Sequence, residues 1–219
     1  MVPGSNVGDT VGVGSAAGVG ENAQNREPLK QAELVDKLTA DILELIEDGN
    51  PTPIVLIDGR AGSGKSTLAD LVQRRLFKEG ESLPRVVHMD DLYLGWDGLE
   101  QGSDYMLRFV LRPTAKRTVA EWREFDWAAE QTGDKIERLG AWREFRGGTP
   151  LLIEGCGALS EAAAELADIK VWLEVSEETR HERWLKREGS DEFWGRWAAQ
   201  ELEFYAREKS PNHADIFGN

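Results

Sequence analysis

The chain has 219 residues, and its 26 Lys and Arg against 40 Asp and Glu give a formal net charge of −14; this argues against a nucleic-acid or anionic-membrane partner, since either wants a basic face. A single cysteine, Cys156, excludes an internal disulfide framework and a cysteine zinc site, and suits a reducing, cytoplasmic setting. No run of about eighteen apolar residues is available to span a membrane, and the length fits one sizeable α/β core.

Residues 1–27 are rich in Gly, Val, Ser and Ala, show no hydrophobic periodicity and lack the basic start of a signal peptide. They are expected to form a disordered tail ahead of a single domain over residues 28–219. Pro28 suits a first helical turn, and Leu34, Val35, Leu38, Ile42, Leu45 and Ile46 fall on one helical stripe that stops at Asp48-Gly49-Asn50. Pro53 to Asp58 is a β-branched run typical of a buried parallel strand. It leads into Gly59-Arg60-Ala61-Gly62-Ser63-Gly64-Lys65-Ser66, which fits the phosphate-binding loop G-x-x-x-x-G-K-[ST], and an amphipathic stretch from Ser66 to Phe77 follows.

Arg85 to Met89 reads as a second strand ending in Asp90-Asp91, and Ser103 as the cap of a helix broken at Arg112-Pro113. Between Val119 and Leu139 the aromatics Trp122, Phe125 and Trp127 and a Thr132-Gly133-Asp134 turn suggest a hairpin. The tetrapeptide Trp-Arg-Glu-Phe occurs at Trp122 and again at Trp142, which reads as coincidence. Leu151-Leu152-Ile153 is a buried strand ending in Glu154-Gly155. Ser160 opens an alanine-rich helix, Ile169 to Val175 forms a strand, and Ser176 caps a helix bearing Arg180, Arg183 and Arg187. A last helix runs from about Asp191 to Lys209, and residues 214–217 suit an edge strand. Strands alternating with helices imply a doubly wound parallel sheet of the phosphate-loop NTPase type.

The loop glycines let successive N–H groups point inward, and the helix N-terminus adds partial positive charge, so the segment is an anion cradle. Gly59, Ala61, Gly62, Ser63, Gly64, Lys65, Ser66 and Thr67 are the candidate nucleotide contacts. Lys65 reaches the outer phosphates, and the Ser66 hydroxyl is a candidate magnesium ligand. Asp90, at a strand mouth, is the candidate base; the plainer alternative is a solvated strand-end carboxylate or a helix cap. Glu154 is the candidate metal-side acid, with a simple loop acid as the alternative. The arginines form either a lid over a transferred phosphoryl group or a charged solvent face among neighbouring glutamates. Most of the eight tryptophans read as core residues; Trp96 and Trp127, beside acids, are candidate substrate contacts. His88, His181 and His213 show no metal spacing.

Gly59 to Ser66, Asp90-Asp91-Leu92-Tyr93, Phe125-Asp126-Trp127, Leu152-Ile153-Glu154-Gly155 and Arg183 to Glu188, in this order, resemble the uridine kinase and phosphoribulokinase family of small-molecule kinases. The resemblance implies a nucleoside-kinase fold with five parallel strands, a small hairpin and a lid helix, with ATP and Mg²⁺ as cofactors. By the same resemblance Asp90 is the base and helps hold the metal with Glu154, Arg183 and Arg187 are the lid arginines, and Tyr93 and the hairpin around Asp126 contact the acceptor. Asp91, Trp96, Asp97 and Trp127 complete the expected substrate set. The chain departs from the family pattern at Phe125, where tyrosine is usual, at Ala128 to Gln131, which lack a basic residue, and at Arg187-Glu188-Gly189.

The expected activity is transfer of the γ-phosphate of ATP to a hydroxyl of a small metabolite, with a uridine-like nucleoside first, by a monomer or homodimer. The alternatives are a sugar, vitamin or antibiotic acceptor, or a nucleotide switch that transfers nothing. The chain has neither the Asn-Lys-x-Asp element of a GTPase nor the Leu-Ser-Gly-Gly signature of a transport ATPase.

Overall fold

A computed structural model of the chain describes residues 28–128 and 139–219. The expected N-terminal tail and the Thr132-Gly133-Asp134 turn lie outside the described residues. Five parallel strands form the centre: β1 (Ile54–Gly59), β2 (Arg85–His88), β5 (Leu151–Glu154), β6 (Ile169–Leu173) and β7 (Ile216–Gly218), in the spatial order β2-β5-β1-β6-β7.

Because successive strand residues face opposite ways, β1 feeds two separate cores. Val55 and Ile57 join Leu152 and Val171 under α1 (Gln31–Glu47) and α2 (Lys65–Lys78), which contribute Leu34, Leu38, Ile42, Leu68, Val72 and Leu76. Leu56 joins Val87, Leu151 and Ile153 on the other face, covered by α3 (Leu99–Met106) and α7 (Trp194–Glu208) through Leu99, Met106, Trp197 and Phe204. β1 is buried at all six of its positions, as its unbroken apolar run requires of a strand covered on both faces.

Several boundaries differ from the sequence reading for physical reasons. Ser103 does not cap a helix: α3 begins at Leu99, and the buried Ser103 hydroxyl donates to the carbonyl of Gly157 at 2.7 Å. Pro113 does not end the helical path either. A π-helical turn at Leu107–Leu111 leads into α4 (Arg112–Ala115), and the wider turn relieves the clash that a proline ring otherwise makes with the carbonyl four residues earlier. The two Trp-Arg-Glu-Phe copies lie on paired strands. β3 (Ala120–Phe125) and β4 (Leu139–Phe145) pair antiparallel with Trp122 opposite Arg143 and Arg123 opposite Trp142, and the Arg123 guanidinium lies 5.7 Å from the Trp142 ring centroid.

The helix capped by Ser160 is a single turn, α5 (Glu161–Ala164), whereas the Ser176 side chain accepts from the Thr179 N–H at the start of α6 (Glu177–Glu188). A short helix, α8 (Ser210–His213), carries the chain into β7. The carboxyl ends of β1, β2 and β5 lie side by side, with His88 opposite Glu154 and Glu154 opposite Ile57. Ligands of open α/β sheets bind outside these ends.

Candidate active site at the phosphate loop

The turn between β1 and α2 takes left-handed backbone angles at Gly62 and Gly64, with φ of +82° and +102°. At Gly62 a Cβ atom would come within 2.4 Å of the Arg180 carbonyl oxygen, and at Gly59 within 2.5 Å of the Leu173 carbonyl oxygen, so no larger residue fits either place. Arg180 itself is buried beneath the loop; its guanidinium donates to the carbonyls of Val175 at 3.2 Å and Ala61 at 3.4 Å. Arg183, one turn on, donates to the carbonyl of Gly62 at 3.0 Å. Thus α6 braces the loop as well as facing the space above it.

Lys65 folds back along the loop, its ammonium donating to the carbonyls of Gly59 at 2.7 Å and Arg60 at 3.1 Å. Burial opposes its charge, but the combined effect of Cys156, Glu154, Asp58 and Glu201 outweighs burial and raises its pKa. The ammonium therefore stays charged, ready to exchange loop carbonyls for phosphate oxygens.

A cleft of about 640 Å³ opens beside the loop. Its phosphate half is lined by Ala61, Gly62, Lys65 and Ser66, its floor by Asp90, Glu154 and Cys156, and its far half by Tyr93, Trp96, Asp97, Trp127, Trp184, Phe193 and Trp197, with Arg187 and Arg196 at the side. Of the residues singled out from the sequence, Ala61, Gly62, Lys65, Ser66, Asp90, Tyr93, Trp96, Asp97, Trp127, Glu154 and Arg187 share this space. Ser63, Gly64, Thr67 and Arg183 line a second hollow of about 340 Å³ on the other side of the loop, with Gln31 and Leu34 of α1. Asp91 and Asp126 line neither; Asp126 accepts from the Ala128 N–H at 2.9 Å.

The acid groups differ in environment. Burial, and then the nearby charge of Glu154, raise the pKa of Asp90, and among the described residues its carboxylate makes no hydrogen bond. Glu154 is buried and takes a 2.6 Å hydrogen bond from His88 Nδ1, and that bond raises the His88 pKa. The histidine set aside for want of metal spacing is thus the partner of the candidate metal-side acid; the parallel register of β2 and β5 brings the two together.

In the aromatic half, Trp96 stacks on Phe193 with ring centroids 4.5 Å apart and planes 4° from parallel, and Trp127 lies 5.1 Å from it. The Trp127 indole N–H donates to the Asp90 carbonyl at 2.8 Å. The buried Tyr93 hydroxyl donates to the Cys156 carbonyl at 2.7 Å.

Two buried carboxyls outside the expected set hold the loop from behind. Asp58, fully buried at the end of β1, accepts from the N–H groups of Gly59, Gly157 and Leu159 and from the Tyr205 hydroxyl, at 2.6, 3.1, 2.8 and 2.7 Å. Burial raises its pKa to about 6. Glu201, 1% exposed on α7, accepts from the Ala61 N–H at 2.6 Å and from the Cys156 thiol at 3.2 Å.

The residues present fit a bound nucleotide: a glycine cradle no side chain can fill, a charged lysine, a helix N-terminus and a buried Ser63 hydroxyl without a partner among the described residues. They also fit a magnesium ion. Among the described residues no group of three or more His, Cys, Asp or Glu is arranged to hold a metal, whereas Mg²⁺ beside a triphosphate needs only one or two protein ligands, its other partners being phosphate and water.

Fold and cleft together define a phosphate-loop protein with a kinase-like fold. The chain belongs to the AAA domain family, whose model matches residues 55–193. Its fold is similar to that of a possible uridine kinase from Bacillus stearothermophilus, with 20% sequence identity and a TM-score of 0.59 over 86% of this chain and 98% of that one. It is also similar to that of a candidate fructose transport system kinase from a Silicibacter species, with 19% identity and a TM-score of 0.53 over 84% and 98% of the two chains. No curated protein matches the chain. The expected nucleoside-kinase fold with five parallel strands is the fold observed. Among the described residues no helix is long and apolar enough to cross a membrane.

Proposed function

We infer that the protein is an ATP- and Mg²⁺-dependent phosphotransferase acting on a hydroxyl of a small metabolite in the cytoplasm. The observation that carries this reading is that one cleft of about 640 Å³ holds the phosphate loop, the carboxylates of Asp90 and Glu154, and a cluster of aromatic side chains beside them. A switch or plain ATPase has no use for that aromatic chamber. The resemblance to uridine kinases makes a nucleoside the first acceptor to try.

The acceptor lies in the aromatic half with its hydroxyl toward Asp90. Asp90 takes the hydroxyl proton as the oxygen bonds to the γ-phosphorus; the bond from that phosphorus to the bridging oxygen breaks, and ADP leaves. The raised pKa of Asp90 makes it a stronger base than an exposed carboxylate. Lys65 and the loop N–H groups hold the outer phosphates, and Arg187, at the cleft wall, meets charge developing on the transferred group. Arg183 would act on the loop itself, through its bond to the Gly62 carbonyl. Ser66, Asp90 and Glu154 are the residues that would hold magnesium, directly or through water, and the ion would neutralise phosphate charge there.

The test is ADP release from ATP and Mg²⁺ across a panel of hydroxyl compounds, with Asp90→Asn alongside. A positioned base contributes typically 10²–10⁴-fold, so Asp90→Asn should lose about that much acceptor-stimulated turnover while still binding a fluorescent ATP analogue. ADP release that no acceptor stimulates would favour the switch.

A further inference from the structure

Glu154 stands between two groups that compete for it. In the strand order β2-β5-β1, its strand has β2 on one side and β1, which leads into the phosphate loop, on the other. His88 is its register partner on β2. Two residues earlier, Val86 and Leu152 pack with the core beneath α2, and because strand side chains alternate, His88 and Glu154 leave the sheet on that same face. Lys65 is the first residue of α2, and the Glu154 charge acts on its ammonium.

A carboxylate and an ammonium in one buried floor attract each other strongly, since little water screens them. In this structure they are held apart. The ammonium lies on the carbonyls of Gly59 and Arg60 and 3.6 Å from Cys156 Sγ, while Glu154 Oε1 takes its hydrogen bond from His88 Nδ1 at 2.6 Å. Among the described residues Glu154 Oε2 makes no hydrogen bond, and Glu154 lines the cleft. His88 does not line it. The imidazole, 41% exposed, borders a separate hollow of about 600 Å³ with Gln73 and Arg85, so its influence on the cleft passes through Glu154.

Resting on the kinase reading above, we propose that His88 is a positioning residue, which turns Glu154 toward the magnesium site and keeps its carboxylate off the Lys65 ammonium. Loss of the imidazole frees Glu154 to swing to Lys65. The pair so formed takes away a magnesium ligand and a phosphate-binding charge together. Residues that hydrogen-bond a ligating carboxylate typically account for about 10–100-fold in metal affinity.

The test is binding of a fluorescent ATP analogue to the full chain, with Mg²⁺ and then with EDTA in its place, so that no turnover is needed. Mg²⁺ should strengthen binding by the wild type. His88→Ala should cut that gain by about tenfold or more, and should weaken binding in EDTA as well because Lys65 is then engaged. His88→Asn sets an amide N–H close to where Nδ1 stood and should restore most of both. In a Glu154→Gln background, His88→Ala should change neither affinity by more than about twofold, as expected where the interaction has already been removed. Thermal melts of each variant report folding. A gain that His88→Ala leaves unchanged, a loss that persists in the Glu154→Gln background, or a His88→Asn variant no better than alanine would each overturn the proposal. Wild-type binding that Mg²⁺ does not strengthen would overturn it together with the metal role of Glu154. The kinase reading fails separately, through ADP release that no acceptor stimulates.

Discussion

Replacing Asp58 by asparagine isolates the electrostatic cost of the carboxyl that ties the phosphate loop to the rest of the site. Its pKa rises from 3.8 to about 6 on folding, because burial outweighs the four hydrogen bonds it accepts. A raised folded-state pKa means that the folded protein binds the proton more tightly than the unfolded chain. The associated stability is fully present below about pH 4 and is lost as pH rises through about 6. Two pKa units correspond to about 3 kcal/mol in total, of which about 2 kcal/mol falls between pH 4.5 and 7. Asparagine cannot ionise, so the variant lacks this slope. It carries a constant penalty of about 1–3 kcal/mol instead, because the amide nitrogen that replaces one carboxylate oxygen faces the N–H of Leu159 or Gly157. Urea denaturation of both proteins at matched pH values gives the two curves, and titrations common to both cancel in the difference. Relative to the variant, the wild type should lose about 2 kcal/mol between pH 4.5 and 7. A difference independent of pH would refute the argument, since it would mean that Asp58 ionises as readily folded as unfolded.

Gly62→Ala should destabilise the fold by about 1–3 kcal/mol, since it forces a left-handed angle and pushes a methyl against the Arg180 carbonyl; nucleotide affinity, read by fluorescence titration, should fall with it. Glu201→Ala strands the buried Ala61 N–H, which costs about 1–3 kcal/mol and loosens the loop, so KM for ATP should rise. Glu201→Gln keeps an acceptor oxygen at the same place and should recover most of both, with thermal melts and initial-rate kinetics as the measurements.

The phosphate loop was legible because its conformation consumes glycines, and glycines leave a trace in any sequence. The strands were legible as unbroken apolar runs, and Asp90 and Glu154 as acids standing at the ends of such runs. The supporting carboxyls were harder to see. Glu201 sits at helical spacing with Trp197, Phe204 and Tyr205 on the buried stripe of α7, and an acid in that position is itself a signal, but its partner is 140 residues away. Asp58 was visible as a charge inside a strand, yet its value lies in three N–H groups and a hydroxyl that only the tertiary structure gathers. The pairing of His88 with Glu154 depends on strand order, which local pattern does not carry. The chamber was read as two tryptophans because Phe193, Trp184 and Trp197 also satisfy a helix-packing pattern; residues that serve both core and cleft look like core alone.

The placement of α7 limits how the protein's specificity can change. Gln200 grips the chamber loop through the Trp96 carbonyl, and the next residue, Glu201, grips the phosphate loop. A substitution that shifts this helix to admit a different acceptor also moves the cradle on which every acceptor depends. Variation in acceptor choice is thereby channelled into the side chains around Trp96 and Trp127 and away from α7 itself.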